Sequence, residues 1–347
     1  MYKRLFMVLS FLPGICLSGL PTVSTISVGG MKLFSGKIWF VCLLFTLFSC
    51  HHKSSKEEGA GIEAMIRLST LPKFTHSSFL ARTNTACMFF VVEIYEDDFS
   101  GKLVVRREIG VNKSSDGSAS AELKELLPEG HYKVVAWAVS AGDVNGTDCL
   151  FYLTDLAKIE YREPYVGCSD KKECYEAQFD MDLSADGESL PVEFSKEMTC
   201  PMASVEIIAS DLEEFYRQVG GDAATLGEYR VRWNYGLYFP VGYNALTRLP
   251  NKAEKQISFE TGIGARSGTE ASMGFDYIFV NGQASQVSVT LALYDKSGKL
   301  LNVYSDITVK LERGKTTVIR GEYLTNRKDS GATIDPDFDG EIDVVLP

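Results

Sequence analysis

Short apolar runs separated by polar turns fill most of this chain. In residues 287–294, Val287, Val289, Leu291 and Leu293 alternate with Ser288, Thr290 and Ala292. In residues 229–235, Tyr229, Val231, Trp233 and Tyr235 alternate with Arg230, Arg232 and Asn234. A period of two places one set on a buried face and the other in solvent, which is a strand signal. Comparable runs occupy residues 62–68, 102–109, 119–127, 131–140, 149–153, 175–183, 190–198, 205–209, 257–261, 277–280, 301–311, 316–323 and 342–346. Residues 87–95 (CMFFVVEIY) are almost wholly apolar, as in a strand covered on both faces. The acidic turn EDDFSG after them leads into 102–109, so the two runs predict a hairpin.

Pro128-Glu129-Gly130 and Asp295-Lys296-Ser297-Gly298 supply turn chemistry between strands. Only one segment has a helical period. Leu212, Phe215, Tyr216 and Val219 follow the capping-box spacing of Ser210 and Glu213, and Gly220-Gly221 closes the run. The strand pattern restarts at Cys200-Pro201. The chain therefore reads as mainly β: two tandem immunoglobulin-like β-sandwich domains, 62–199 and 200–347, with one short helix at 211–219 in the second. This layout predicts that residues 201–347 fold alone.

The N-terminal region has a different character. Residues 31–50 (MKLFSGKIWFVCLLFTLFSC) set Lys32 and Lys37 before an uncharged apolar run, 38–48, that ends at Ser49-Cys50. A basic end, a short apolar middle and a small residue at the cut form a secretory signal. A cysteine directly after the cut is the bacterial lipoprotein form, in which it becomes the acylated N-terminus, with chains such as palmitate. The run is well short of the roughly 20 residues a membrane helix needs. Residues 1–30 hold a second signal-like run behind Lys3 and Arg4, broken by Pro13 and Gly14. Two signals in tandem make little physical sense, so translation is expected to start at Met31. Residues 1–49 are thus the signal region, Cys50 the lipidation site, and 50–61 a polar, lipidated tether.

Net charge narrows the partners. The chain carries −11 at neutral pH, and the signal region holds four basic residues and no acids, so the mature chain is more acidic still. Such a chain does not bind nucleic acid by general electrostatics. It offers no basic patch for anionic lipid heads either, which leaves membrane attachment to the acyl chains.

Five cysteines follow Cys50: Cys87, Cys149, Cys168, Cys174 and Cys200. Export permits disulfides. Cys168 and Cys174 flank the polar loop SDKKE between strand-like runs and are the candidate bridge. An odd number leaves at least one thiol free, and the connectivity stays open. Zinc would need four ligands at tight spacing, and no histidine stands near this pair.

The chain carries few residues in patterns that point to chemistry. His51 and His52 sit in the tether, His76 in a loop, and His131 opens a strand. There is no His-Glu-x-x-His, no Gly-x-Ser-x-Gly and no phosphate loop. Gly262-Ile263-Gly264 precedes no helix and reads as a turn. Trp137 and Trp233 lie among apolar neighbours and read as core rather than as sugar platforms. One constellation carries a mechanism. Asp335, Asp337, Asp339 and Gly340 match the first half of a calcium loop, with Asp343 at the ninth position. Leu346 stands where the bidentate glutamate belongs, so a plain acidic turn is preferred over this weak calcium site. No other cofactor is implied, and the chain reads as a non-enzyme.

Several stretches carry a family resemblance. Residues 127–138 (LPEGHYKVVAWA) resemble the turn-and-strand motif of the fimbrial anchor subunits of Bacteroidales, the minor-fimbrium anchor family and its relatives. Residues 201–212 (PMASVEIIASDL), 238–244 (YFPVGYN), 276–282 (DYIFVNG), 313–325 (RGKTTVIRGEYLT) and 334–343 (IDPDFDGEID) resemble the second domain of related lipoproteins. Cys168 and Cys174 are no part of that pattern. The resemblance implies transthyretin-like sandwiches in a lipid-anchored surface subunit that holds a fimbrium to the outer membrane or limits its growth, with other fimbrial subunits as partners.

The physical mode expected is β-strand addition, in which a sheet edge takes an extended segment of the next subunit. Its expected place is the first domain, around residues 87–139. The alternative is a surface lipoprotein that binds glycan or host protein, which an exposed aromatic platform would favour. A hydrolase on a β-scaffold comes third; a cleft with several carboxylates of shifted pKa would favour it.

Overall fold

The computed structural model describes residues 61–74, 85–184, 191–325 and 341–345. Along the first part of the chain run β1 (Ile62–Thr70), β2 (Cys87–Glu96), β3 (Leu103–Asn112), β4 (Ala119–Leu127), β5 (Gly130–Ala141), β6 (Phe151–Tyr152), β7 (Ile159–Tyr161), β8 (Cys174–Leu183) and β9 (Val192–Glu197). Then come β10 (Met202–Ala209), the helices α1 (Leu212–Val219) and α2 (Ala223–Leu226), and β11 (Arg230–Tyr235), β12 (Phe239–Asn244), β13 (Leu249–Glu254), β14 (Ile257–Gly262), β15 (Gly264–Ala265), β16 (Ala271–Phe279), β17 (Ala284–Tyr294), β18 (Leu300–Glu312), β19 (Thr316–Gly321) and β20 (Glu341–Val345).

Alternation governs the exposed sheets. On β1, Ala64, Ile66 and Leu68 are buried, while Arg67 points out and pairs with Glu122 on β4 and Glu193 on β9. β1 lies between those two strands, antiparallel to β4 and parallel to β9. The second sheet of the first sandwich has the order β3-β2-β5-β8. The apolar run of β2 is explained there, because β2 is an interior strand flanked by β3 and β5. The second sandwich pairs β15-β16-β10-β19-β20 with β14-β11-β17-β18. The helix expected at 211–219 is α1, closed by Gly220 in the left-handed region at φ 64°. Its Gly220 N–H returns to Tyr216 O, a usual glycine C-cap.

A fifth sheet was not legible in the sequence. Its order is β13-β12-β7-β6, so it takes two strands from each side of the joint expected near residue 199. β12 contains Pro240 and Gly242, both of which weaken a strand signal. β13 is mostly exposed, and β7 has three residues. Further backbone bonds cross the same line: Ala245 N–H to Leu156 O at 2.8 Å and Cys168 N–H to Phe275 O at 3.0 Å.

An aromatic cluster fills the space beneath this sheet. Trp137 packs 5.4 Å from Tyr243 and 6.3 Å from Phe279, and Phe151 stands 4.9 Å from Tyr161. Full burial of one such ring system contributes about 4–6 kcal/mol of transfer free energy. Trp137 and Trp233 are both wholly buried, as their apolar neighbours imply. Trp233 Nε1 donates to Met273 O at 2.9 Å. That close approach requires Gly274. Its φ is 110°, and a Cβ there would meet Thr261 Cγ2 at 2.7 Å and Trp233 Nε1 at 3.2 Å.

Candidate functional site

The signal region, Cys50, the tether through residue 60, and Asp335, Asp337 and Asp339 lie outside the described residues. Among the described residues no group of three or more His, Cys, Asp or Glu is placed to hold a metal ion.

Cys168 and Cys174 are described, and the bridge expected between them is not formed; both are free thiols. The loop between them is not a hairpin turn. Asp170–Lys172 form one turn of 3-10 helix, with Ser169 as its N-cap. Cys168 has φ 53° and faces the second sandwich, where its N–H reaches Phe275 and its thiol lies beside Thr261. Cys174 begins β8 opposite Val139, buried in the first sandwich. Burial pushes both thiols above their ordinary pKa.

The edges of the sheets decide where a strand can be added. Of the strands within 87–139, β2 and β5 have neighbours on both sides and accept nothing. β3 and β4 are edges, but β3 carries Arg106, Arg107 and Glu108 in succession and β4 carries Glu122, Lys124 and Glu125, and charged residues blunt an edge. Arg107 is also tied to Glu125 on β4 at 2.7 Å. β18 is a longer edge. It is interrupted where the register shifts opposite β17, next to Asp306 at φ 58°, and bulges likewise protect an edge. The edge of β19 is different. It is met by β20, in parallel register from Thr316 opposite Glu341 to Arg320 opposite Val345. Here one extended segment completes a sheet well after the preceding strand in the chain.

Two buried polar networks fix the halves around the shared sheet. In the first, Glu176 on β8 accepts from Arg313 Nη1 at 2.7 Å, Arg248 Nε at 3.0 Å and Tyr243 Oη at 2.8 Å. In the second, Lys172 Nζ donates to Asp276 and to the Tyr165 hydroxyl, and Tyr165 and Tyr235 donate to Asp276 Oδ2 at 2.6 and 3.0 Å. Burial lowers the Lys172 ammonium below its ordinary value and raises the tyrosine hydroxyls well above theirs. None of these residues stood out in the sequence as a buried polar partner, because a lone lysine or aspartate in a β-rich chain is read as surface.

The surface holds two clefts on either side of the β12–β13 hairpin. One, of ≈ 420 Å³, is lined by Tyr238, Asn251, Asn281, Ser285 and Gln286. Tyr238 is 70% exposed, and Lys255 Nζ sits 4.7 Å from its ring. The other, of ≈ 380 Å³, contains Tyr152, Glu160, Arg162 and Glu254. Of its three carboxylates, Glu160, Glu163 and Glu254, the first and last are held by Lys252, at 2.8 and 3.0 Å.

A family profile matches residues 61–347, which takes in both sandwiches and the shared sheet. The chain belongs to a family of unknown function (DUF6562). No curated protein matches it. Among solved structures it is similar to the fimbrial anchor protein Mfa2 from Porphyromonas gingivalis, at 10% identity and a TM-score of 0.37, over 71% of this chain and 82% of that one. It is also similar to the tip fimbrial protein Mfa3 from Porphyromonas gingivalis, with C-terminal truncation, at 11% identity and a TM-score of 0.37, over 71% and 82%. Nothing about this chain's activity follows from likeness at that level.

Proposed function

We propose that this chain is a cell-surface fimbrial subunit, anchored to the outer membrane through lipid on Cys50 and joined to its neighbour by strand addition. The observation that carries the reading is β20, a five-residue segment laid in parallel along the outer edge of β19. In that arrangement main-chain hydrogen bonds supply affinity and alternate side chains supply register. A segment of equal length from a partner can occupy the same edge. The signal at 31–50 supports a membrane-held N-terminus, and the resemblance of 127–138 to fimbrial anchor subunits, with that of 313–325 to the second domain of related lipoproteins, supports the class of partner. We place the accepting edge at β19 rather than within residues 87–139, where β2 and β5 are interior and the edges β3 and β4 carry charged residues.

Deleting the gene in its host tests the reading. Fibres become longer, are shed into the medium or are lost from the cell. Cys50→Ala releases the protein from the membrane fraction or leaves it unprocessed. Fibres unchanged in number, length and attachment contradict it.

Glycan binding is the second reading, and Tyr238 favours it. An exposed ring beside Asn251, Asn281 and Gln286 offers a stacking face with amide donors and acceptors around it. Retention of oligosaccharides on a glycan array, abolished by Tyr238→Ala with fibres unaffected, puts this reading in place of the first.

A further inference from the structure

The Lys172–Asp276 pair is unlike the other ion pairs of the fold. Both side chains are 0% exposed. They lie 104 residues apart, one in the turn before β8 and the other on β16. The lysine nitrogen stands over the rings of Tyr161 and Tyr165, 4.6 and 4.3 Å from their centroids. The aspartate carboxyl is fixed from both sides. Tyr165 and Tyr235 hydroxyls hold Oδ2, and the Tyr277 N–H holds Oδ1 at 2.9 Å. Neither group serves a surface or a cleft.

We propose that Lys172 and Asp276 condense into an intramolecular amide joining Nζ to Cγ, a covalent cross-link between the two halves of the chain. The reactants and their setting are all present. In a dry aromatic pocket a charged pair has little advantage over its neutral form. Burial already pushes the ammonium toward deprotonation. The ammonium gives one proton to Oδ1. The freed lone pair on Nζ attacks Cγ, and the carbonyl electron pair moves onto Oδ2, where two tyrosine hydroxyls stabilise it as an oxyanion hole does. Nζ passes a second proton to the Oδ1 hydroxyl. The Cγ–Oδ1 bond breaks, Oδ1 leaves as water, and the carbonyl re-forms on Oδ2. An ammonium and a carboxylate become one amide and one water, with no oxidant, reductant or external reactant.

The fold supplies the drive. Groups held in contact by a rigid core react with effective molarities of about 10⁵–10⁸ M, which offsets the resistance of water to amide formation. The product removes two charges from the interior and leaves Tyr165 and Tyr235 bonded to the amide oxygen. The bond would carry load from the turn before β8 into β16, without passing through the hydrogen bonds of the shared sheet. A surface protein pulled at its two ends has use for such a bond, though the proposal does not depend on the fimbrial reading.

Intact mass of the purified mature protein under denaturing conditions is the test, followed by tryptic peptide mapping. The expected result is a mass lower by one water than the processed sequence, no cleavage after Lys172, and a branched peptide joining Lys172 to Asp276. Lys172→Met and Asp276→Ala each restore the mass expected of their own sequence, and this is read on denatured protein whether or not the variant folds. A wild-type mass equal to that of the sequence, with trypsin cutting after Lys172, overturns the proposal. So does a water loss mapped elsewhere, for example to succinimide at Asp116-Gly117.

Discussion

Arg313 Nη1 lies 2.7 Å from Glu176 Oε1 across 137 residues of chain. Glu176 belongs to β8 of the first sandwich, and Arg313 follows β18 of the second. The same guanidinium donates through Nη2 to the Tyr243 hydroxyl at 2.8 Å and to Arg248 O at 2.7 Å. The glutamate is 1% exposed, so solvent does little to screen the pair. The contact therefore makes the two halves dependent on each other.

Arg313→Met leaves the buried Glu176 with Arg248 and Tyr243 alone. Removing one partner of a buried ion pair costs about 3–5 kcal/mol, and Arg248, which is half in solvent, recovers part of it. Urea unfolding of the mature protein is expected to show a large loss of stability in Arg313→Met. It should remain one transition by near-UV and far-UV circular dichroism, because both halves share the sheet β13-β12-β7-β6.

Residues 201–347 expressed alone lose β6 and β7 from that sheet, Lys172 from Asp276, and Glu176 from Arg313. The fragment exposes Phe279 and Tyr243, which the first half covers. It is expected to be aggregation-prone or partly unfolded by size exclusion and circular dichroism. The strand alternation of the second half by itself points the other way, toward an autonomous domain. A monomeric fragment with a sharp unfolding transition upholds the autonomous reading and contradicts the dependence of the two halves.

That contrast shows what alternation conveys. Val287, Val289, Leu291 and Leu293 announced β17, and Leu212, Phe215, Tyr216 and Val219 announced α1, because each has one dry face against one core. The nine-residue strand β16 is buried throughout, so Ala271–Phe279 shows no period, and only its last residues resembled a strand. β12 is hidden by Pro240 and Gly242. Lys172 and Asp276 carry no local signal, since what makes them a pair is a contact formed only when the chain closes. The bridge expected between Cys168 and Cys174 is absent for the same reason: spacing in sequence does not tell which face of the turn each thiol will meet.

His131 supplies a pH-dependent contact. Its Nδ1 lies 2.5 Å from Asp182 Oδ1. The hydrogen bond to Asp182 raises the imidazole pKa, aided by the charges of Asp182, Asp180 and Asp97. A pKa raised on folding means that the contribution is complete below the unfolded value of about 6.5 and is lost as pH rises through the higher folded value. The group is at the surface, so the effect on stability is small, and NMR titration is the suitable probe. His131 should titrate above a histidine in an unstructured peptide, and Asp182→Asn should bring it back down. An unchanged titration in that variant removes Asp182 as the cause.

Strand addition at β19 is most directly tested by placing a photo-crosslinking amino acid at Thr316, opposite Glu341, in the full-length protein in its host. Illumination of intact cells is predicted to give an adduct between this chain and a second, distinct fimbrial subunit, identified by mass spectrometry of the cross-linked peptide. Excess peptide EIDVV, the sequence of β20, is predicted to suppress the adduct in isolated outer membranes. Crosslinking only within the chain, in cells whose fibres are assembled and attached, would contradict the account.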